Sequence, residues 1–262
     1  MKSLQIFAFV FSAIVLFSCG KSDKKLAADR IALAESLYQK GDTTSALAYL
    51  DSIRKKYPTA IQAIVTADQE KKKIYSEIVF REQNELDSVL AKIAKLEPKF
   101  VAEKTEFDKY TQYIPKCQNF DRRWNKSFIQ FHLDELGNLC MSSNYYGDQW
   151  LQHTGIRVYD QDIQAKTDSI GLNDPNNHRS DFMDYIWEKV TYRNGKDNGV
   201  IRFIADHPDL KLKAVFLGKR YFYIWLEDYD KEAALESLQF SALLKRKLKL
   251  EKEIKSLQSK IG

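Results

Sequence analysis

Apolar side chains recur at alternating spacings of four and three residues in two separate tracts, and a chain so patterned has to pair two long helices. The first tract runs Tyr75, Val79, Glu82, Leu86, Val89, Ile93, Leu96, Phe100, Glu103, Phe107, Tyr110 and Ile114, with its hydrophobicity broken only at the two glutamates. Pro98 falls inside it without shifting the register, which predicts a kink or a helix restart with Pro98 in the first turn. The second tract starts behind a capping Asp230 and runs Ala233, Phe240, Leu243, Lys247, Leu250, Ile254, Leu257 and Ile261. At about 1.5 Å per residue this second helix spans roughly 50 Å, and an apolar seam of that length is not stable alone in water. Pairing within one chain is favoured over a parallel dimer, because tethering raises the effective concentration of the two partners. The lysine-rich outer side of the second helix reads as a solvated face, with anionic lipid headgroups as its alternative partner.

Between the tracts the period changes to two. Ile129, Phe131 and Leu133 share one face, Asp134 to Asn138 turn the chain, and Leu139-Cys140-Met141 return it. Ile156 to Tyr159, Val200 to Ala205, Leu212 to Leu217 and Tyr221 to Leu226 read as further strands, the last two joined at Gly218-Lys219. Asn194-Gly195 and Asn198-Gly199 are turn dipeptides, and Asp168 to Arg179 is loop-like. Phe182 to Val190 fits either a helix or a strand. Trp187 and Trp225 lie within elements and are expected in the core. The fold class expected is α+β: an N-terminal helical hairpin, then a long antiparallel coiled coil formed by two helices flanking an antiparallel β-rich domain. The boundaries are a leader (1–18), a tether (19–28), the hairpin (29–61), a first arm (62–116), the β-rich domain (117–228) and a second arm (229–262).

Chemistry is sparsely signalled. With 41 basic and 36 acidic residues, the charge is too balanced for a dedicated nucleic-acid binder. There is no glycine-rich phosphate loop, no GxSxG elbow and no carboxylate dyad, so no enzymatic activity and no cofactor are expected. His132, His153, His178 and His207 are scattered, and none forms a metal-type pair on a helix. His178, beside Asp174, Asp181 and Asp184, reads as part of a capped polar loop. Cys117 and Cys140 are either a disulfide, worth about 3 kcal/mol in the chain-entropy model, or two buried thiols. Tyr145, Tyr146 and Trp150 fall in the polar run SSNYYGDQWLQH, which resists both helical and strand patterns. Loop aromatics beside amides can stack on sugar rings or anchor a protein partner, and the competing reading makes Trp150 a lid over the sheet.

The amino terminus carries an address. Lys2 precedes an apolar stretch from Leu4 to Phe17, too short to span a bilayer, and Leu16-Phe17-Ser18-Cys19-Gly20 follows. This resembles a bacterial lipobox, with an aliphatic residue three positions before the cysteine and small residues flanking the cut. The resemblance implies a signal peptide, lipidation of Cys19, palmitate among the acyl chains, and anchoring in the cell envelope. Lipoproteins of the Bacteroidetes type exported to the surface tend to carry an acidic cluster after the cysteine. Here only Asp23 is acidic in the tether Gly20-Lys21-Ser22-Asp23-Lys24-Lys25, which points to the periplasm-facing side.

Two more resemblances bear on organisation. Leu33, Ala34, Leu37, Gly41, Ala46, Leu50 and Pro58 fall at the small, bulky and breaker positions of one tetratricopeptide unit. A single unit is either a peptide-groove fragment or a plain helical hairpin packed on its neighbours. Asp followed by Ser or Thr and then an aliphatic residue or Thr resembles Bacteroidetes O-glycosylation acceptors, which marks Thr43, Ser52, Ser88 and Ser169 where composition predicts about one match. Periplasmic adaptor subunits also join coiled coils to β domains, but there the hairpin emerges from within the β domains, whereas here the long helices flank the domain. The function expected is therefore a membrane-anchored scaffold with an envelope protein partner and no nucleic-acid partner. A glycan or cell-wall-fragment binder using Tyr145, Tyr146 and Trp150 is the alternative.

Overall fold

The computed structural model describes residues 22–106, 108–118 and 125–262. The leader and Cys19 lie outside the described residues, as does Phe107 of the first heptad. The class is α+β, and the chain forms two compact units: one runs to Ile78 and includes Gln258–Gly262, and the other is Val79–Leu257.

The first unit is helical. α1 (Asp23–Gln39) and α2 (Thr43–Lys56) are joined at Gly41, whose φ of +87° needs no side chain, and Asp42 caps α2 by accepting from the Ser45 N–H. α3 (Ile61–Leu96) begins in this unit and adds a third layer. Ala27, Ile31 and Ala34 of α1, Leu50 and Ile53 of α2, and Ile64, Ala67 and Ile74 of α3 make one core. The helix α1 starts inside the stretch expected as tether, only four residues beyond Cys19.

The second unit holds a β domain and the paired arms. Strands β1 (Phe100–Glu103), β2 (Gln112–Pro115), β3 (Phe128–Asp134), β4 (Leu139–Gly147), β7 (Asn177–Phe182) and β8 (Tyr185–Tyr192) form one sheet in the order β1-β2-β3-β4-β8-β7. Strands β5 (Gly155–Asp160), β6 (Ile163–Lys166), β9 (Lys213–Leu217) and β10 (Tyr221–Trp225) form a second, ordered β10-β9-β5-β6. Every pairing is antiparallel. The inward faces, Ile129, Phe131, Met141 and Tyr145 from the first sheet against Ile156, Val158, Ala214 and Phe216 from the second, share one apolar core. α5 (Asp228–Ile261) packs Leu250 and Ile254 against Leu86 and Val89 of α3. Arg246 grips Glu85 with two hydrogen bonds of 2.6 and 2.7 Å, and Lys99 pairs with Glu236. High numbers on α5 meet low ones on the first arm, so the arms run antiparallel, as expected for pairing within one chain.

Several expectations are corrected here. The first heptad does not continue as helix to residue 116. Pro98 lacks the N–H that helical continuation needs, the chain makes a single 3-10 turn at Glu97–Lys99, and Phe100 enters β1. The β domain therefore begins at residue 100 and not at 117. Val200 to Ala205 is the helix α4 (Val200–Asp206), because burying Val200, Ile201, Ile204 and Ala205 together needs helical spacing, and Gly199 at φ +81° opens it. Phe182 to Val190 resolves as a β7–β8 hairpin around Met183-Asp184, both with positive φ, as a primed turn demands. Asp230 lies inside the first turn of α5, where it accepts from the Glu227 N–H and, with Gln118, ties that turn to β3.

Candidate functional site

The three aromatics expected as one site are separated by strand parity. Tyr145 and Tyr146 sit on β4, not in a loop, and consecutive strand residues point to opposite faces. Tyr145 is buried in the core, against Phe222, with its hydroxyl donating to the Gln149 carbonyl. Tyr146 turns to the far face, stacked on Tyr185 at 5.1 Å and tilted against its cross-strand partner Trp187. Trp150 lines an open cavity of about 420 Å³ with Gln152, Asn177, His178 and Arg179. Asn177 donates to the His153 and Ile170 carbonyls, while its buried Oδ1 has no partner among the described residues.

The densest polar chemistry lies where the sequence gave no motif. Ser143 (β4), His153 (the loop before β5) and Glu188 (β8) form a hydrogen-bonded line, with 2.9 Å from Ser143 Oγ to His153 Nε2 and 2.7 Å from His153 Nδ1 to Glu188 Oε2. Tyr192 extends it, 3.0 Å from Ser143. With a neutral imidazole one proton order satisfies every group: Tyr192 donates to Ser143, Ser143 to His153, and His153 to Glu188. Glu188 also accepts from the backbone N–H groups of Leu151, Gln152 and His153.

This is the order of atoms in a Ser–His–carboxylate relay, but it is sealed. Ser143 and His153 are 0 % exposed and Glu188 1 %. Ser143 stands mid-sheet with β3 on one side and β8 on the other, not on a turn that could offer its hydroxyl to a substrate. The carboxylate instead clamps residues 151–153 to the sheet. The signal for it was present in β8: Ile186, Glu188, Val190 and Tyr192 share one parity, so a glutamate had to enter an apolar face and find donors there.

The remaining expected sites are placed as follows. Cys117 and Cys140 are free thiols, so no disulfide joins them. Cys140 lies beside Asn138 O and Arg193, and burial pushes its pKa up. A thiol titration of the denatured, unreduced Cys19→Ala chain is therefore expected to find both, with Cys140 silent in the native state; no free thiol after denaturation is the contrary outcome. Ser88 and Ser169 are exposed and Thr43 half-buried. Ser52 is half-buried, accepting from Arg30 Nε and donating to Tyr49 O.

Among the described residues no three His, Cys, Asp or Glu side chains converge to hold a metal, and no helix is long and apolar enough to cross a membrane. In the first unit, α1 and the start of α3 bound an apolar groove of about 530 Å³, lined by Ala28, Ile31, Ala32, Ala60, Ile61 and Ala63 with Lys24 and Glu35 also on its walls. No protein-family model matches this chain, and neither a curated protein nor a solved structure does.

Proposed function

We propose that this chain is an envelope lipoprotein, anchored through Cys19, that acts as a non-enzymatic scaffold and holds an apolar segment of a membrane-proximal partner in the α1–α3 groove. The observation that carries the reading is that groove. Its apolar walls are alanines and isoleucines, with Lys24, Glu35, Gln62 and Thr66 completing the lining, and Ile61 stands 67 % exposed at its edge. Small residues let a partner's backbone come close, and an exposed isoleucine supplies an anchor. Because α1 begins four residues past Cys19, a fully extended tether places its first turn no more than about 14 Å from a lipidated anchor. The partner is then one that presents an apolar segment near the bilayer. The β domain, carried on the paired arms, is the second display surface.

Capture from crosslinked native envelopes tests this. Ile61→Asp keeps the fold, since an acid in the first turn of α3 suits the helix dipole. It is expected to cut recovery of the partner about tenfold by burying a charge in the groove. Cys19→Ala is expected to abolish palmitate labelling and release the chain from membranes. Equal recovery with Ile61→Asp overturns the groove, and membrane retention without label overturns the anchor.

The alternative, a glycan-binding lipoprotein, is favoured by one observation, the Trp150 cavity with the unpartnered Asn177 Oδ1 beside it.

A further inference from the structure

The outward side of the four-stranded sheet exposes aromatic rings interleaved with cations. Its registers set up two cross-strand rows: Trp225, Lys213, Tyr159 and Gln164, then Tyr223, Val215, Arg157 and Lys166. A third begins at Tyr221, which faces Leu217. Strand parity sends Phe222 and Ile224 of β10 to the core, and leaves Tyr221, Tyr223 and Trp225 at 77 %, 55 % and 53 % exposure. Trp225 was expected in the core, and this parity is why it is not there.

Cations are interleaved with the rings. The Lys213 ammonium lies 4.3 Å from the Tyr223 ring centroid and 4.6 Å from that of Trp225, and the Arg157 guanidinium 4.9 Å from Tyr159. Among the described residues none of Arg157, Lys166 and Lys213 forms a side-chain ion pair or hydrogen bond, and Arg157 Nε is buried without a partner. No carboxylate stands in these rows; Asp160, the acid of β5, has the opposite parity.

The chemistry of a ligand follows from what the face offers. The charged groups of its rows are all donors, the carboxylates of Asp209, Glu227 and Asp228 lying only beyond Trp225, so the ligand must supply acceptors, and three unpaired cations ask for negative ones. Its aromatic rings ask for a partner with flat apolar faces that repeat at short intervals. A neutral sugar, rich in hydroxyl donors, would find only tyrosine hydroxyls and Gln164 to accept from.

We propose that this face binds an anionic glycan, with its carboxylate, sulfate or phosphate groups held by Arg157, Lys166 and Lys213 and its sugar rings lying on Tyr223 and Trp225. The choice of glycan over nucleic acid rests on the envelope address proposed above, where glycans are the polyanions at hand. The site is distinct from the Trp150 cavity and from the α1–α3 groove, so failure of either leaves it standing.

The test is binding of the full chain in detergent to heparin and to alginate, with dextran as the neutral control and oligothymidylate as the nucleic-acid control. Both anionic glycans are expected to bind and dextran not to. Tyr223→Ala with Trp225→Ala, and separately Arg157→Gln with Lys213→Gln, are each expected to weaken binding about tenfold or more. Lys249→Gln with Lys252→Gln, on α5, is expected to leave it unchanged. Should the aromatic double variant fail to fold, Trp225→Leu alone reads the same point with a strand-compatible side chain. Absence of binding to both anionic glycans overturns the inference. So does unchanged affinity in the aromatic variants, which marks bare electrostatic attraction, or equal weakening by the α5 lysine variant. Tighter binding of oligothymidylate than of either glycan reassigns the face to nucleic acid and overturns it too.

Discussion

Glu188→Ala is expected to destabilise the β domain by about 3–5 kcal/mol, because each buried donor left without its acceptor costs about 1–3 kcal/mol and neighbouring losses do not add in full. At this domain size that lowers the melting temperature by roughly 10 °C. The carboxylate is the acceptor for the His153 ring and for three consecutive backbone N–H groups, and alanine leaves those donors buried with nothing to bond. Glu188→Gln keeps the shape and one acceptor oxygen but turns an amide N–H₂ toward donors, so an intermediate loss is expected. Near-UV circular dichroism on heating reads both. A Glu188→Ala chain melting within about 3 °C of the parent would mean the clamp is dispensable.

The same site sets a pH dependence. Burial pushes the Glu188 carboxyl up, but the hydrogen bonds from the His153 ring and from the Gln152 and His153 N–H groups outweigh it, and the net pKa is below the ordinary glutamate value. A folded pKa below the unfolded one means stability is fully present above the unfolded value and lost as pH falls through the folded one. His132 acts in the same direction over a higher window. Burial, then the charges of Lys189 and Arg193, push its pKa from 6.5 to about 3, so the unfolded chain takes up its proton first on acidification. The melting temperature should therefore begin to fall below about pH 6.5 and steepen below about 4.5. His132→Gln is expected to flatten the upper limb and Glu188→Ala the lower.

Legibility of this chain followed the reach of each signal. The heptads exposed the paired arms because a seven-residue repeat is local, and Arg246 with Glu85 only adds to what Leu86, Val89, Leu250 and Ile254 already require. The same pattern misled beyond Leu96. Phe100 and Ile114 kept heptad spacing by accident while β pairing and Pro98 decided their state, a case of tertiary contacts overriding periodicity. Val200 to Ala205 failed for another reason: six apolar residues fit a strand or a buried helix equally, and only the need to bury Ile201 and Ile204 on one side separates them. The relay of Ser143, His153 and Glu188 joins residues 10 and 35 apart, and no local motif encodes it. The aromatic face of β10 was within reach, since Tyr221, Tyr223 and Trp225 share a parity that Phe222 and Ile224 do not; what hid it was the habit of assigning tryptophan to the core.

Phe240→Ala follows from that correction and is expected to cost about 3–5 kcal/mol, the usual loss for emptying a fully buried phenylalanine site. Phe240 is on α5, 0 % exposed, with its ring 4.8 Å from Phe100 on β1 and 5.1 Å from Tyr113 on β2, and Leu133 in the same cluster. The cavity cannot close by sliding one helix over another, because the walls belong to two strands held in antiparallel register and to a helix pinned by Arg246 to Glu85. The damage should therefore appear first in the sheet edge. Amide exchange at Val101, Ala102 and Tyr113 is expected to accelerate before that at Met141 or Val190 in the sheet centre. Had the first arm continued as a coiled coil to Ile114, the same substitution would open helical amides instead, and those of residues 100–114 would exchange in a helical pattern. Phe80→Ala is the control. That ring is 69 % exposed on α3, so its loss is expected to stay within about 0.5 kcal/mol. A Phe240→Ala chain as stable as Phe80→Ala would mean that β1 and β2 do not pack on α5, and that the arm does not end at Pro98.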